Sequence, residues 1–262
     1  MVSSLTTPLF VPASKPERFG KAAASGADAV ILDLEDAVAA ADKDTARAAL
    51  DAGFTDLPVI VRINAIGTPW HAADLAAVTG AGFAAVILPK SETPDTVAQV
   101  VAALPGLPVI ALIESALGLA NARAIATVKG VERLAFGSVD FCADLRCAHL
   151  RDILLPVRSE LVLASRLGGI ASPIDGVTVQ LDDLAATRDD AGHARDLGMT
   201  GKLCIHPKQI AEVKRAFAPS EKEISWAKRV LASGDGAVSV DGAMVDEPVR
   251  IRARAILAAA PE

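Results

Sequence analysis

The chain has 262 residues, of which 52% are hydrophobic and 22% are charged, and its formal net charge is −6. This length suits a single α/β barrel of about 250 residues, and the composition excludes a disordered chain. The acidic balance argues against a nucleic-acid-binding surface. There is no run of about 18 apolar residues to span a membrane and no signal-peptide pattern. We therefore expect a cytoplasmic protein.

Short apolar segments alternate with helix-like segments over most of the chain. We predict eight strands, at residues 8–13, 28–36, 58–64, 83–90, 108–114, 133–140, 175–179 and 201–207. Eight strand–helix units joined by a few residues predict a closed parallel (β/α)8 barrel. A doubly wound open sheet is the alternative. That fold requires a GxGxxG fingerprint, which follows neither the first nor the second strand.

The alternation stops near residue 218. Residues 219–262 contain one more helix, a turn-rich segment and a last helix. We interpret them as a C-terminal extension of a catalytic barrel formed by residues 1–218. The extension is expected to act as a lid or to contact another subunit, and a terminal helix that merely packs is the alternative.

Charged and polar side chains follow several of the predicted strands. Active sites of these barrels lie at the carboxyl ends of the strands. The residues predicted at those ends are Glu35, Asp36, Arg62, Asn64, Lys90, Glu114, Asp140 and His206. Such charges must point into the mouth of the barrel or satisfy polar groups of the barrel itself.

Glu114 and Asp140 follow adjacent strands, so their carboxylates can converge on one ion. Oxygen ligands without a neighbouring His or Cys favour Mg²⁺, with Mn²⁺ next, and water and substrate complete the octahedron. Pairing of these acids with Arg62, without a metal, is the alternative. Glu35 and Asp36 are candidate acceptors for metal-bound water, although either of them could instead cap the following helix.

Arg62 offers a planar fork for a substrate carboxylate. Beside a metal, that fork suits a 2-oxo or 2-hydroxy acid and a reaction that breaks or forms a carbon–carbon bond. Backbone N–H groups at Gly137, Ser138 and Val139 could help to hold the anion. The alternative for Arg62 is a salt bridge inside the barrel.

The remaining lysine and histidine residues are weaker candidates for a catalytic role. Lys90 could form a Schiff base if it were desolvated, but a lysine at a rim is more often solvated or paired. His206 is interpreted as a packing residue below the helix that follows it. His71, His149 and His193 show no motif spacing and are predicted to be surface or packing residues.

The motifs LFVPASKPERFGKA, VILDLEDAV, VRIN, ALIES, GSVDFCADL and GKLCIHPKQI follow one another in this order. Together they resemble the HpcH/HpaI aldolase superfamily, in particular the citrate lyase β-subunit-like branch with its malyl-CoA and citramalyl-CoA lyases. The resemblance covers nearly the whole chain. It implies a Mg²⁺-dependent lyase that cleaves a 3-hydroxyacyl thioester, such as malyl-CoA, citramalyl-CoA or a citryl thioester, to an acyl-CoA and a 2-oxo acid, or runs in reverse.

The resemblance also implies roles for particular residues. Arg62 and Glu114 would contact the substrate, and Glu114 and Asp140 would hold Mg²⁺. Arg18 and Lys21 become candidate contacts for the phosphates of CoA. Relatives are commonly trimers or hexamers with a C-terminal lid that reaches a neighbouring site. The motif GAMVDEP matches that lid, which makes Asp246 the candidate proton donor to the nascent enolate.

The segment DLRCAHL, residues 144–150, departs from the more glycine-rich, acidic pattern expected in this branch. Three other functions remain open. A thioesterase would use the same residues and release free thiol. A metal-dependent 2-oxo acid aldolase would act without CoA. A non-catalytic binding subunit would need partner chains, but the converging acid pair argues against it.

Overall fold

The computed structural model describes residues 2–234 and 236–260. It contains eight parallel strands that pair in sequence order. These strands are β1 (Pro8–Pro12), β2 (Ala29–Asp33), β3 (Val59–Arg62), β4 (Ala85–Leu88), β5 (Val109–Ile113), β6 (Val131–Phe136), β7 (Ala171–Asp175) and β8 (Gly201–Lys202). A parallel bridge between Leu9 and Cys204 joins β1 to the segment after β8. The sheet therefore nearly closes on itself, and the predicted (β/α)8 barrel is confirmed.

Helices connect the strands and cover the outside of the sheet. They are α1 (Phe19–Ala23), α2 (Lys43–Ala48), α3 (His71–Val78), α4 (Pro94–Ala103), α5 (Ala116–Ala120), α6 (Ala122–Ala126), α7 (Ser138–Leu145), α8 (Arg151–Gly168), α9 (Leu184–Asp196) and α10 (Ile210–Phe217). Because helices cover one face and the barrel interior covers the other, the strands consist mainly of apolar residues, and β2 and β3 each end in a charged residue. Every residue of β2, β4 and β5 is buried. The interior is packed with aliphatic side chains that include Ile31, Ile60, Ile87, Ile110 and Leu112.

The seventh strand differs from the prediction. It spans Ala171–Asp175, so the predicted segment 175–179 begins where the observed strand ends. Pro173 lacks the N–H that a central strand residue normally donates, and its presence disfavours this segment in a sequence-based assignment. The pairing of β7 with β6 has an irregular register between Arg133 and Ala135.

The sixth and eighth strands also end earlier than predicted. β6 ends at Phe136, and Gly137 is the N-cap of α7. Asp140, predicted as the last residue of the sixth strand, instead lies in the first turn of that helix. β8 is only two residues long, although the main-chain N–H of Phe10 still donates to the carbonyl oxygen of Cys204 at 2.9 Å.

The chain divides into two compact units, and the second begins at Arg215. This unit contains α11 (Glu221–Ala232), the antiparallel strands β9 (Val238–Val240) and β10 (Ala243–Val245), and α12 (Glu247–Ala258). Its own small core is formed by Ala227, Val230, Val245, Ala253 and Ile256. Among the described residues, no helix combines the length and the apolar character needed to cross a membrane.

Candidate functional site at the barrel mouth

A cavity of about 400 Å³ opens at the carboxyl ends of the strands. Its polar lining consists of Asp33, Asp36, Arg62, Glu114, Gly137, Ser138 and Asp140. Its apolar lining includes Phe10, Leu112, Phe136, Val177 and Ile205. The fold therefore brings most of the strand-end residues predicted from the sequence to one cavity.

Arg62 is held by acids at the end of the neighbouring strand β2 and just after it. Its Nε and Nη2 donate to the two carboxylate oxygens of Asp33 at 2.7 and 2.6 Å. Its Nη1 lies 3.0 Å from Oε2 of Glu35 and 3.6 Å from Oδ2 of Asp36. The ring of Phe10 lies below the guanidinium, 4.8 Å from ring centroid to Cζ. Arg62 thus pairs with neither Glu114 nor Asp140.

Asp33 is a site residue that the sequence did not reveal. The parallel register places Asp33 directly beside Arg62 at the ends of β2 and β3. The sequence predicts that the second strand ends at Asp36, which places Asp33 inside the strand. An acidic residue and a basic residue at the ends of adjacent strands could have indicated this ion pair. That inference requires the strand register, which the sequence alone does not give.

Glu114 follows β5 and is almost fully buried, with 4% of its surface exposed. Its Oε1 accepts a hydrogen bond of 2.7 Å from the main-chain N–H of Lys90. Its other face lies against Gly137. A Cβ atom built on that glycine would overlap Cβ of Glu114 and lie 2.5 Å from its Oε2. The carboxylate is therefore held by a hydrogen-bond donor on one side. On the other side it packs closely against Gly137, which leaves room for it because it has no side chain.

Neighbouring cations do not fully neutralise the negative charges of the acids in and beside this cavity. Burial raises the pKa of Glu114 to about 8, and the charges of Glu35 and Asp140 add to the effect, while Lys90 opposes it. Burial also raises the pKa of Glu35, against the opposing charges of Arg62 and Lys90. Oε2 of Glu35 is buried and accepts no hydrogen bond, although Nη1 of Arg62 lies 3.0 Å from it.

Asp140 lines the cavity from the first turn of α7 and is half-buried. Within the described residues, no group of three or more His, Cys, Asp or Glu side chains is arranged to hold a metal ion. Glu114 and Asp140 would therefore be the protein ligands of a two-carboxylate site. Mg²⁺ usually keeps several waters and takes one or two carboxylates. The donor set and the buried Oε2 of Glu35, which accepts no hydrogen bond, fit that ion.

Lys90 bridges two of the acids. Its Nζ donates to Oε1 of Glu35 at 2.9 Å and lies 4.0 Å from Oε1 of Glu114. Burial alone would lower the pKa of Lys90, but Glu35 and Glu114 outweigh it and the pKa is raised. A Schiff-base lysine needs a lowered pKa. Lys90 is therefore better suited to charge compensation than to nucleophilic attack.

A second lysine, Lys43, supports the loop after β2. It is buried, and its Nζ donates to the carbonyl oxygens of Leu34 and Glu35 at 2.6 and 2.7 Å and to Oδ1 of Asn64 at 2.7 Å. These bonds hold the backbone of Glu35 in place. The sequence could not reveal this role because Lys43 begins helix α2, away from any strand end.

The segment after β6 combines three features. The main-chain N–H of Gly137 donates to the carbonyl oxygen of Ile113 at 2.9 Å, so it is not available to an anion. The N–H groups of Ser138 and Val139 lie in the first turn of α7, where a helix supplies them no partner. The hydroxyl of Ser138 lies 2.9 Å from Nε2 of His149.

The remaining predicted residues lie elsewhere. Arg18 and Lys21 are exposed, in the turn and helix after β1. Asp246 belongs to the second unit, where its carboxylate caps α12 by accepting from the N–H of Val249 at 3.4 Å.

His206 caps the turn that follows β8, in a capping box with Gln209, which agrees with a structural role. Neither Glu35 nor Asp36 is the N-cap of α2, which is Asp42.

The fold and the cavity together define a (β/α)8 barrel protein with several carboxylate side chains and a largely buried arginine at the mouth of the barrel. The model of the HpcH/HpaI aldolase/citrate lyase family matches residues 6–207. The chain belongs to that family, as the order of its motifs predicted.

Several relatives match almost end to end. A citrate lyase subunit beta-like protein of Mycobacterium tuberculosis is 41% identical over 97% of this chain and 95% of its own length. A (3S)-malyl-CoA thioesterase of Cereibacter sphaeroides is 34% identical, over 96% of this chain and 93% of its own length. The crystal structure of protein CitE from Mycobacterium tuberculosis, in complex with magnesium, acetoacetate and coenzyme A, matches with a TM-score of 0.88 and 38% identity. That match covers 99% of this chain and 100% of CitE.

Proposed function

We propose that the protein is a Mg²⁺-dependent carbon–carbon lyase that acts on a 3-hydroxyacyl-CoA, such as malyl-CoA, citramalyl-CoA or a citryl thioester. The products would be an acyl-CoA and a 2-oxo acid, and the reverse condensation uses the same groups. The observation that carries the proposal is the pair Glu114 and Asp140 beside Arg62 in one cavity. Similarity to CitE, whose crystal structure contains magnesium, acetoacetate and coenzyme A, supports it.

Glu114 and Asp140 would hold the metal ion, and Oε2 of Glu35 would accept a hydrogen bond from a water on it. A bound magnesium ion supplies Lewis-acid polarisation of a substrate oxygen. Asp36, which is half-exposed at the rim, is a second candidate acceptor for such water.

Arg62 would bind the carboxylate of the 2-oxo acid. Asp33 and Glu35 each face one side of the guanidinium, but Nη1 and Nη2 both carry two N–H bonds. The second N–H on each nitrogen would bind the substrate carboxylate, which on Nη1 would replace the longer contact with Asp36, while Asp33 fixes the plane of the fork. The N–H groups of Ser138 and Val139 would complete the anion site, and Gly137 contributes by leaving room for Glu114.

Residues away from the cavity complete the proposal. Arg18 and Lys21 would contact the phosphates of CoA. Asp246 would donate a proton to the enolate of the acyl-CoA from a lid that belongs to a neighbouring subunit, in a trimer or hexamer. The matching motif GAMVDEP supports this assignment. Asp246→Asn should then lower turnover without weakening metal binding, and unchanged turnover would contradict the lid.

A thioesterase is the second candidate, because a relative that is 34% identical is named (3S)-malyl-CoA thioesterase. In that reaction, water attacks the thioester and the carbon–carbon bond survives. The two functions differ in their products, since a lyase releases a 2-oxo acid and a hydrolase releases free thiol.

The experiment that tests the proposal measures both products from malyl-CoA and citramalyl-CoA, with Mg²⁺, with Mn²⁺ and with a chelator. We expect metal-dependent release of glyoxylate or pyruvate without free CoA. Free CoA without an oxo acid would establish the thioesterase instead. Equal oxo-acid release in the presence of chelator would contradict the role of the metal.

A further inference from the structure

One hydrogen bond joins the linings of two separate cavities. Ser138 lines the catalytic cavity of about 400 Å³ described above. A second cavity, of about 590 Å³, is lined by His149 together with Arg151, Asp152, Arg158, Gln180 and Asp190. The 2.9 Å contact between Oγ of Ser138 and Nε2 of His149 connects the two linings.

The surroundings hold the Ser138 hydroxyl in this position. Ser138 is 1% exposed and begins α7. Gly176 lies against it, and a Cβ atom built on that glycine would overlap the hydroxyl and lie 2.9 Å from the carbonyl oxygen of Phe136. The absence of a side chain at Gly176 therefore leaves the room in which Ser138 meets His149.

His149 is suited to accept a proton. Burial lowers the pKa of His149, and the charge of Arg158 adds to this effect. The charged groups that face it are Arg158 on α8, Asp190 on α9, Asp175 at the end of β7 and Lys202 on β8. A lowered pKa favours the neutral form of the ring. One of its nitrogens then carries a lone pair.

The proposed reaction needs a base that the residues assigned so far do not supply. Cleavage of a 3-hydroxyacyl thioester turns the carbon that bears the hydroxyl into the carbonyl carbon of the 2-oxo acid, so the O–H proton must leave. Arg62 stays protonated. The acids already have roles, since Glu114 and Asp140 are assigned to the metal, Glu35 and Asp36 to water on the metal, and Asp246 to the enolate. Ser138 lies in the same cavity and has a neutral base behind it.

We propose that Ser138 and His149 form a proton relay that takes the hydroxyl proton of the substrate from the catalytic cavity to the second cavity. This inference rests on the proposed lyase function. It assigns a role to His149, which the sequence predicts to be a surface or packing residue.

The relay carries one proton away from the substrate in two transfers, while two electron pairs of the substrate shift. The substrate hydroxyl gives its proton to Oγ of Ser138 while Ser138 gives its own proton to Nε2 of His149. The electrons of the substrate O–H bond form the C=O bond, and those of the broken carbon–carbon bond form the enolate of the acyl-CoA. His149 then releases the proton on Nδ1 to water in the second cavity. Condensation uses the same steps in reverse.

The test compares His149→Gln with His193→Gln as a matched control. A glutamine at position 149 can still hydrogen-bond to Ser138 but cannot take its proton. His193 lies on α9 and does not line the catalytic cavity. We expect His149→Gln to lower kcat for 2-oxo acid release by about 100-fold, the lower end of the range for general base catalysis. It should also abolish the fall in rate that acid causes when His149 becomes protonated.

Ser138→Ala and the double variant distinguish a relay from two independent structural effects. Groups that act in series are not additive, so the double variant should be no slower than the slower single variant. Mg²⁺ affinity, measured by calorimetry, should be unchanged in His149→Gln, which shows that the site remains folded. The His193→Gln control should keep the wild-type rate and pH profile.

Three results would overturn the relay. These are a wild-type pH profile in His149→Gln, a double variant whose loss is the product of the two single losses, and a His149→Gln loss confined to free-thiol release. The last result would assign the pair to hydrolysis. Wild-type protein that releases no 2-oxo acid would instead overturn the proposed function, and the relay with it.

Discussion

Asp33 and Arg62 are direct partners across β2 and β3, and their side chains form a two-point ion pair with distances of 2.7 and 2.6 Å. Asp33 also accepts hydrogen bonds from the main-chain N–H of Glu35 at 2.9 Å and of Ala37 at 3.2 Å. One buried carboxylate thus fixes both the arginine of the cavity and the loop that carries Glu35. The geometry of the anion site depends on Asp33 even if no substrate atom touches it.

Asp33→Asn should therefore destabilise the protein and weaken substrate binding. The amide keeps the shape but loses the charge, so the free energy of unfolding should fall by about 3 kcal/mol, as when one partner of a buried ion pair is removed. Urea denaturation measures the change. Asp44→Asn is the control, because Asp44 pairs with Arg47 at an exposed position and should cost less than about 0.5 kcal/mol. Equal effects in the two variants would contradict the structural role of Asp33.

Gly137→Ala tests the packing against Glu114. The added methyl group would overlap Cβ of Glu114 and crowd its Oε2, so the carboxylate must move. We expect Mg²⁺ affinity to fall about 10-fold or more, as when ligand orientation is disturbed, and activity to fall with it. Calorimetric titration with Mg²⁺ measures this. Gly20→Ala adds the same methyl group where nothing lies within 4 Å, and it should bind the ion as the wild type does.

The sequence predicted the barrel because its strands are continuous apolar runs, which do not depend on long-range detail. It also located Arg62 and Glu114, since each stands where such a run stops. It failed at β7, where Pro173 hides a strand, and at Asp140, which begins a helix rather than ending a strand. Periodicity does not determine element boundaries to better than a few residues.

The pairings within the cavity were beyond the reach of the sequence for a different reason. The contact between Asp33 and Arg62 depends on the strand register, which the side-chain pattern alone leaves open. Ser138 and His149 are separated by eleven residues, and the loop between them has no periodic pattern. Lys43 acts through main-chain carbonyl oxygens, for which a sequence carries no signal.

Lys90 has a left-handed backbone, with φ of 48°. A glycine adopts that conformation freely, whereas a residue with a Cβ atom is strained by about 1 kcal/mol. Lys90→Gly and Lys90→Ala both remove the ammonium group from Glu35 and both keep the N–H that holds Glu114. We expect the glycine variant to be more stable than the alanine variant by about 1 kcal/mol in urea unfolding. An alanine variant of equal stability would show that the strain is absent.

Asp175 is fully buried between two cations, Nε of Arg158 at 2.8 Å and Nζ of Lys202 at 2.9 Å. Burial alone would raise the pKa of Asp175, but Lys202 and Arg158 hold it below the usual value. A lowered acid pKa contributes stability that is present above the unfolded pKa of about 4 and is lost as pH falls through the folded value.

Asp175→Asn should thus destabilise the protein by about 3–5 kcal/mol at neutral pH, because two buried cations lose their partner. Acid unfolding of the wild type below about pH 4 should include a component that the variant lacks. The measurement is denaturant unfolding across this pH range. Asp182→Asn, at an exposed pair with Lys208, should change the free energy of unfolding by less than about 0.5 kcal/mol. A comparably small loss in Asp175→Asn would contradict the role of the buried group.

Glu114 links metal binding to pH. Burial and the neighbouring acids raise the pKa of Glu114 to about 8, so below that pH the carboxyl is largely protonated and must release its proton to bind a cation. Mg²⁺ affinity should therefore rise as pH increases toward 8, by up to about 10-fold per pH unit, and level off above it. Calorimetry in buffers of different ionisation enthalpy should detect about one proton released per ion at pH 7.

Glu114→Gln removes both the charge and the proton, so it should weaken Mg²⁺ binding and abolish the proton release. Glu160→Gln is the matched control, because Glu160 pairs with Arg123 on the outside of the barrel and should leave both quantities unchanged. Mg²⁺ affinity that stays constant between pH 6 and pH 9 would mean that Glu114 is not a ligand, and the metal would then have to be sought at another group.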